Sequence, residues 1–312
     1  MKEIKNEFSW SFSRQLVFDT CLRQYYFRYY QFWEGWNRDS PEVNRKAYLF
    51  SKMMTLPMLI GTAVHATIEE ILRSRRDGRP IRDPVERLRG RLNQTWLDSL
   101  KQRWLEVGPK KAPPLFEHYY QLPVEQAEIA RLKDHAIQCI HRFLESELYR
   151  DIVEAGPDRW RTIDELSKVE IEGVSAFVAP DFAFDRGDQT WLIDWKTGAE
   201  REEMDLQLLS YAVFAIDRWN LPVERLRAFD FFLAQGRLAE IPLSEERLAE
   251  ARRTILERSG RMRALLLDVE HNAARPEEFP PTTDPRKCRR CFYYEICDER
   301  PAALPNTAAA SG

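Results

Sequence analysis

Residues 190–198, TWLIDWKTG, hold the strongest signal for the fold. The first half of this stretch is apolar and β-branched, which predicts a buried strand. Because side chains alternate across a strand, Asp194 and Lys196 project from one face while Trp195 points to the other. Burying an acid and a lysine at the end of an apolar strand is costly unless they serve a purpose. We therefore expect a functional site at this strand end.

A second acidic residue precedes this strand. Residues 167–198 are rich in β-branched and aromatic side chains and contain a turn signal, DRGD, at 185–188. This texture predicts three strands, at about 168–172, 175–184 and 190–195. In such a hairpin Asp181 lies across from Asp194, and a hard cation such as Mg²⁺ or Mn²⁺ would relieve the repulsion between the two carboxylates.

The hairpin allows two interpretations. With a divalent cation held by the carboxylates, the ammonium of Lys196 could orient water for in-line attack on a phosphodiester or help to deprotonate it. The alternative is a surface hairpin with an ordinary Asp–Lys ion pair at its mouth. The aspartate of the Pro180-Asp181 dipeptide and the apolar strand before Asp194 favour the catalytic interpretation.

Three further side chains are candidates for the same site. His65 lies in GTAVHATIEE, one helical turn after Gly61, a residue that permits the close approach of another backbone. Its imidazole could add a nitrogen ligand, although a lone helical histidine is more often a packed or exposed residue. Gln207 and Tyr211 are four residues apart, hence on one helical face, where they could contact substrate or simply belong to an amphipathic helix.

Composition sets broad limits on the class of protein. The chain has 312 residues, of which 44% are hydrophobic and 31% charged, and its formal net charge is −3. That charge carries no global signature of nucleic-acid binding. No apolar run approaches the roughly 20 residues needed to span a membrane, and the N-terminal residues lack a secretory signal. We expect a cytoplasmic protein without membrane contact, in which clustered cysteines are metal-binding or redox groups.

The elements indicate an α/β protein with few strands and a large helical section before them. The helical pattern is strongest from about residue 81 to residue 166, and a helix from about 203 to 218 follows the catalytic strand. We divide the chain into an N-terminal helical segment, a helical region, a β-rich core, a cysteine-containing segment and a disordered tail. Their boundaries are 1–60, 61–166, 167–270, 271–300 and 301–312.

Three cysteines near the C-terminus have the spacing C-x2-C-x5-C: Cys288, Cys291 and Cys297. They fall one ligand short of a four-coordinate zinc site or an iron–sulfur cluster. Zinc sites more often consist of two short C-x2-C pairs, but a zinc site, an iron–sulfur cluster and free thiols all remain open as interpretations of this spacing. Cys139 lies among apolar helical residues and is most simply a buried small hydrophobe.

Four motifs in order resemble the PD-(D/E)xK nuclease superfamily, specifically its RecB-like branch: GTAVH, APDFAFD, LIDWKTG and QLLSYA. The resemblance covers residues from about 9 to 298 and implies a restriction-endonuclease-like core, a small mixed sheet flanked by helices, with a large helical insertion. It implies that Lys196 positions the nucleophile and that Gln207 and Tyr211 complete the catalytic site. The metal ligands that it implies are His65, Asp181, Asp194 and the backbone carbonyl of Trp195.

Within that branch, one group holds a 4Fe-4S cluster with one cysteine before the nuclease motifs and three after them. AddB-type helicase–nuclease subunits and CRISPR-associated RecB-like exonucleases are examples. Here Cys21 lies in FDTCLRQYYFRYY, which is similar to the N-terminal helix of the group except for Leu22, where proline is usual. The resemblance thus implies that an iron–sulfur cluster staples the N- and C-terminal regions through Cys21, Cys288, Cys291 and Cys297.

The function implied by the resemblance is a metal-dependent DNA nuclease. In finer terms it is a single-stranded DNA exonuclease of the RecB-like type, which hydrolyses phosphodiester bonds with a metal-activated water and uses Mg²⁺ or Mn²⁺. The chain has no G-x-x-x-x-G-K-[ST] motif, so any unwinding requires a partner such as a helicase, or a CRISPR or repair complex. The alternatives are a low-activity DNA-end-binding or scaffold subunit of a repair, defence or spacer-acquisition complex, and a zinc-stapled protein acting on another substrate.

Overall fold

The computed structural model describes residues 5–80, 83–198 and 205–300. The chain divides into two compact units. Unit 1 comprises Met1–Leu56, Thr95–Pro123 and Glu257–Gly312, and unit 2 comprises Pro57–Gln94 and Val124–Leu256. The tail predicted at 301–312 lies outside the described residues, as does the start of the helix predicted from 203.

Seven strands are present in the described residues, all of them in unit 2. Five form a mixed sheet in the order β1-β4-β5-β6-β7, and β2 and β3 form a second, two-stranded sheet. In the larger sheet β5 and β6 are parallel, and the other neighbouring pairs are antiparallel. The strands are β1 (Trp160–Ile163), β2 (Ser167–Ile171), β3 (Val174–Val178), β4 (Phe182–Arg186), β5 (Gln189–Lys196), β6 (Leu226–Phe232) and β7 (Arg237–Ile241).

Helices account for most of the remaining described residues. Parallel strands require a crossover connection, and α10 supplies it between β5 and β6. The α-helices are α1 (Phe12–Thr20), α2 (Leu22–Tyr26), α3 (Glu42–Lys52), α4 (Leu56–Arg76), α5 (Pro84–Leu100), α6 (Trp104–Val107), α7 (Phe116–Tyr119), α8 (Gln126–Glu145), α9 (Glu147–Ala155), α10 (Asp205–Trp219), α11 (Glu245–Arg263) and α12 (Pro285–Cys288). None of the described helices is both long and apolar enough to cross a bilayer.

The central strand β5 is buried from Thr190 to Trp195. A strand that is buried on both faces does not need to alternate apolar and polar side chains. This explains why the first half of β5 is a continuous apolar run. Trp195, near the end of β5, lies on the face opposite Asp194. It packs against Phe143 and Phe231, with ring centroids 5.3 and 6.1 Å apart. The α/β class and the mixed sheet flanked by helices agree with the expected restriction-endonuclease-like core.

The structure differs from the predicted strands in two places. The strand expected at 175–184 is two strands, because β3 ends at Val178, before Pro180, and β4 begins at Phe182. Proline cannot donate to a sheet, so the chain leaves one pairing and enters another there. β1 lies inside the stretch predicted to be mostly helical. Its four residues are too few for a period to be recognised, and pairing with β4 holds them extended.

In unit 1, aromatic side chains of the N-terminal helices pack against the C-terminal segment. Ser11 caps α1, since its hydroxyl accepts from the backbone N–H of Arg14. Tyr25 stacks on Phe279, and Phe27 stacks on Tyr293, with ring centroids 6.1 and 5.6 Å apart. The first helices and the last described segment therefore share one aromatic core.

Candidate functional site

Two acidic residues mark the start of β4 and the end of β5. Asp181 directly precedes β4, and its Oδ2 accepts from the backbone N–H of Trp195 at 2.6 Å. Its Oδ1 accepts from Nδ1 of His65, on α4, at 3.2 Å. The antiparallel register, which pairs Phe182 with Ile193, brings Asp181 beside Asp194. The two motif carboxylates and the histidine thus lie together, as the sequence predicts.

Lys196 lies on the same face as Asp194, as strand alternation requires. Its ammonium is 2.5 Å from Oδ2 of Asp194 and 3.4 Å from Oδ1 of Asp230. It also donates a hydrogen bond to Oε1 of Gln207 at 2.8 Å. Because these groups are mostly buried, each contact is stronger than it would be in water.

The helix α10 closes a ring of hydrogen bonds over the strand end. Gln207 donates from Nε2 to the hydroxyl of Tyr211 at 2.8 Å, and that hydroxyl donates to Oδ1 of Asp194 at 3.1 Å. The spacing of four residues places both side chains on the face of the helix that covers β5. The structure therefore brings together all the side chains that the motifs predict. We call this set of candidate residues the catalytic group: His65, Asp181, Asp194, Lys196, Gln207 and Tyr211.

The ionisation of the catalytic group reflects burial and crowded negative charge. Burial and the neighbouring Asp181 carboxylate raise the pKa of Asp194 to about 7, against the opposing effect of Lys196. Burial lowers the pKa of His65, but Asp181 and the other nearby carboxylates outweigh it and raise that pKa to about 9. Burial and Asp194 raise the pKa of Tyr211 well above its usual value. The charge of Asp181 disfavours the ionised form of Asp194, and a divalent cation held between the two carboxylates would relieve that repulsion.

The donor atoms fit a hard divalent cation in their chemistry. Carboxylate oxygens with one imidazole nitrogen suit Mg²⁺ or Mn²⁺ better than a soft metal. In the side-chain arrangement of residues 5–80, 83–198 and 205–300, however, no three His, Cys, Asp or Glu side chains are grouped to hold an ion. The acids instead bond to His65, Lys196 and Tyr211. These internal bonds hold the side chains at the strand end together.

Comparison with protein families matches residues 9–298 to the PD-(D/E)XK nuclease superfamily. The match covers most of the chain. This protein belongs to the PD-(D/E)XK nuclease superfamily. Membership indicates a metal-dependent nuclease, that is, a phosphodiester hydrolase of a class that generally uses Mg²⁺ or Mn²⁺ and binds DNA. No curated protein matches the chain.

Two acidic residues beside the nuclease motifs escaped the sequence analysis. Asp230 lies in the middle of β6 and is paired in register with Asp194. Its signal in the sequence is a charged residue inside the apolar run FDFF, which lies outside the four motifs. Asp164 donates its backbone N–H to the carbonyl of Asp181 at 3.0 Å. Burial and the Asp181 charge raise the pKa of the Asp164 carboxyl.

Gly61 has a neighbour of a different kind from the one expected. A Cβ at this position would lie 3.3 Å from the side-chain hydroxyl of Thr197, the residue after Lys196. The glycine therefore gives space to a side chain of the strand end, and among the described residues outside its own helix this hydroxyl is the one neighbour within 4 Å of that Cβ position. The space is tight, but the hydroxyl of Thr197 is small and able to turn.

The cysteines of the sequence motif lie in unit 1, and we call Cys21, Cys288, Cys291 and Cys297 the cysteine group. The Sγ of Cys21 accepts from the backbone N–H of Thr282 at 3.3 Å. Burial, together with the nearby thiols of Cys21, Cys297 and Cys288, raises the pKa of Cys291 to about 12. Burial and Cys21 likewise raise the pKa of Cys288 and that of Cys297.

The fifth cysteine has different surroundings. Cys139 is fully buried on α8 in unit 2, and its Sγ is 3.9 Å from Nε2 of His135. Burial raises the pKa of its thiol to about 11. This placement matches the expectation of a small hydrophobic residue in the core, and it leaves the cysteine group with four thiols.

Proposed function

We propose that this nuclease is a single-stranded DNA exonuclease of the RecB-like branch, and that the catalytic group performs the hydrolysis. The main support is the closed ring Lys196–Gln207–Tyr211–Asp194, in which the nuclease motif residues hold one another by hydrogen bonds of 2.8 to 3.1 Å and an ion pair of 2.5 Å. A degenerate site would have lost one of these groups. The intact ring favours a working nuclease over a DNA-binding scaffold.

In this proposal His65, Asp181, Asp194 and the backbone carbonyl of Trp195 would hold Mg²⁺ or Mn²⁺. When bound, such an ion supplies Lewis-acid activation and neutralises charge on the phosphodiester. The ammonium of Lys196 positions the attacking water and stabilises negative charge. Gln207 and Tyr211 fix Lys196 and Asp194 from α10, so that neither side chain must reorganise during the reaction.

The cysteine group is the proposed site of a 4Fe-4S cluster. Its four thiols lie near one another, although three of them belong to the C-terminal segment and Cys21 lies at the start of α2. The C-x2-C-x5-C spacing with one distant cysteine departs from the two short C-x2-C pairs that are common in zinc sites, and this favours the cluster over zinc. The cluster would tie the N-terminal helices to the C-terminal segment and would be structural.

A partner enters the proposal as the source of single strands. The described chain has the nuclease motifs without a nucleotide-binding loop of the G-x-x-x-x-G-K-[ST] type. A helicase, or a CRISPR or repair complex, would therefore deliver the strand end.

The nuclease proposal is tested with two forms of one substrate. End-labelled linear single-stranded DNA and closed circular single-stranded DNA of the same sequence are incubated with enzyme and Mn²⁺. The expected result is progressive shortening of the linear strand and persistence of the circle, with the much slower Lys196→Ala as the control. Cutting of the circle would show an endonuclease, and firm binding to ends without turnover would favour the scaffold alternative.

The cluster proposal is tested by anaerobic purification and analysis of iron and acid-labile sulfide. About four of each per chain, with visible absorption near 400 nm, is the expected result. Stoichiometric zinc without sulfide would replace the cluster by a Cys₄ zinc site.

A further inference from the structure

Asp230 is a buried acid in an otherwise apolar strand. It is 3% exposed, and its neighbours Phe229 and Phe231 are 3% and 1% exposed. A carboxylate is rarely placed in such surroundings unless a partner offsets the loss of hydration. Because β6 is parallel to β5, the register sets Asp230 beside Asp194, with Lys196 two residues further along β5.

One partner that the structure shows is Lys196. Oδ1 of Asp230 is 3.4 Å from Nζ of Lys196, and both side chains are at least nine-tenths buried. The same ammonium contacts Asp194 and Gln207 at 2.5 and 2.8 Å. Lys196 thus contacts oxygen atoms from three elements, β5, β6 and α10, and its contact with Asp230 is an ion pair.

The carboxylates of Asp194 and Asp230 differ in the groups whose charge they balance. On the proposed function, which this inference presupposes, Asp194 is also a metal ligand, so its negative charge is shared between Lys196 and the cation. A carboxylate that serves a cation attracts the ammonium less strongly. Asp230 is outside the proposed ligand set, and its charge remains available to Lys196 when the metal is bound.

We propose that Asp230 is a positioning residue that holds the ammonium of Lys196 in place in the metal-loaded enzyme. It acts through Lys196 and contacts neither the metal nor the reacting phosphate. Without the charge of Asp230, only Asp194 and Gln207 would determine the position of the Lys196 ammonium. A displacement of about 1 Å in a catalytic group is enough to cost about 100-fold in rate.

The test is a double-mutant cycle. Asp230→Asn removes the charge and keeps the shape. In single-turnover cleavage of linear DNA with Mn²⁺ we expect the rate to fall about 10- to 100-fold, with DNA affinity and the half-saturating Mn²⁺ concentration unchanged. In the Lys196→Ala background the same substitution should have no further effect, because residues that act as a unit are not additive.

A matched control is Asp185→Asn, which makes the same chemical change in the same sheet. Asp185 accepts from Arg161 at 2.7 Å and from Thr190 at 2.6 Å, and it has no role in the catalytic group. Its rate should remain that of the wild type. If Asp230→Asn folds poorly, the same cycle can be measured with Asp230→Ala. Water can then fill the space that the shorter alanine side chain leaves.

The outcomes separate this inference from the function on which it rests. A wild-type rate for Asp230→Asn, or an equal loss in the presence and absence of Lys196, would overturn the positioning role while the nuclease stands. A loss that disappears in the Lys196→Ala background supports it. Wild-type protein that cuts no DNA under any metal condition would remove the proposed function, and this inference with it.

Discussion

The catalytic group and the cysteine group differ in what holds them together. In the catalytic group each charged side chain has a close partner of opposite charge or a hydrogen bond, as with Lys196 between Asp194 and Asp230. In the cysteine group, burial and the mutual closeness of the thiols raise pKa values, that of Cys291 to about 12. Such thiols are neutral at physiological pH until a metal displaces their protons. The catalytic group is thus preformed by contacts among its own side chains, whereas burial is the main influence on the thiols of the cysteine group.

The largest expected effect is loss of catalysis without loss of fold. Lys196→Ala should lower the single-turnover cleavage rate by about 10²- to 10⁴-fold, the usual contribution of a positioned acid–base group. The iron content and the circular dichroism spectrum should stay those of the wild type. Cleavage at a near wild-type rate would show that the preformed group is not the catalytic centre.

A second change attacks the cysteine group. Cys21→Ala removes the one thiol that precedes the nuclease motifs, and we expect colourless, unstable protein, because a structural metal centre contributes folding free energy directly. The matched control is Cys139→Ala, the buried thiol of α8, which should keep full iron content. The assignment of Cys21 as a ligand fails if Cys21→Ala also keeps full iron content.

Removing the divalent cation should separate the two groups. Chelation with EDTA is expected to abolish cleavage, and added Mn²⁺ to restore it. The melting temperature should shift by no more than about 2–4 °C, which corresponds to roughly 1 kcal/mol, because hydrogen bonds and ion pairs already satisfy the catalytic side chains. Visible absorption from the cysteine group is measured in the same sample and should persist. A large fall in melting temperature would show that the cation also holds the fold together.

The smallest effects concern two glycines, one in each unit. A Cβ at Gly35 in unit 1 would lie 2.2 Å from the carbonyl oxygen of Asn44, so Gly35→Ala should destabilise the protein by about 1–3 kcal/mol. At Gly61 the nearest atom is the Thr197 hydroxyl at 3.3 Å, and alanine gains about 1 kcal/mol in helix propensity. The free energy of unfolding of Gly61→Ala should therefore lie within about 1 kcal/mol of the wild-type value. The urea unfolding midpoint of each variant measures its stability. Equal losses of stability in Gly35→Ala and Gly61→Ala would contradict the difference in packing at the two positions.

Local patterns in the sequence determined several parts of the site. The apolar run followed by Asp194 and Lys196 predicts a buried strand with both side chains on one face, which the structure confirms. The four-residue spacing of Gln207 and Tyr211 predicts a shared helical face in the same way. These features depend on periods of two and 3.6 residues, which neighbouring residues specify by themselves.

Only the tertiary structure decided the rest. The parallel pairing of β5 with β6 places Asp230 beside Lys196, and the order of residues within β6 does not predict that register. β1 is extended because β4 pairs with it, although its four residues carry no strand period of their own. Likewise, the packing of the aromatic core of unit 1 brings Cys21 near enough to influence the pKa values of Cys288, Cys291 and Cys297. Contacts between distant segments follow from which surfaces bury one another, a property of the whole chain that no short window contains.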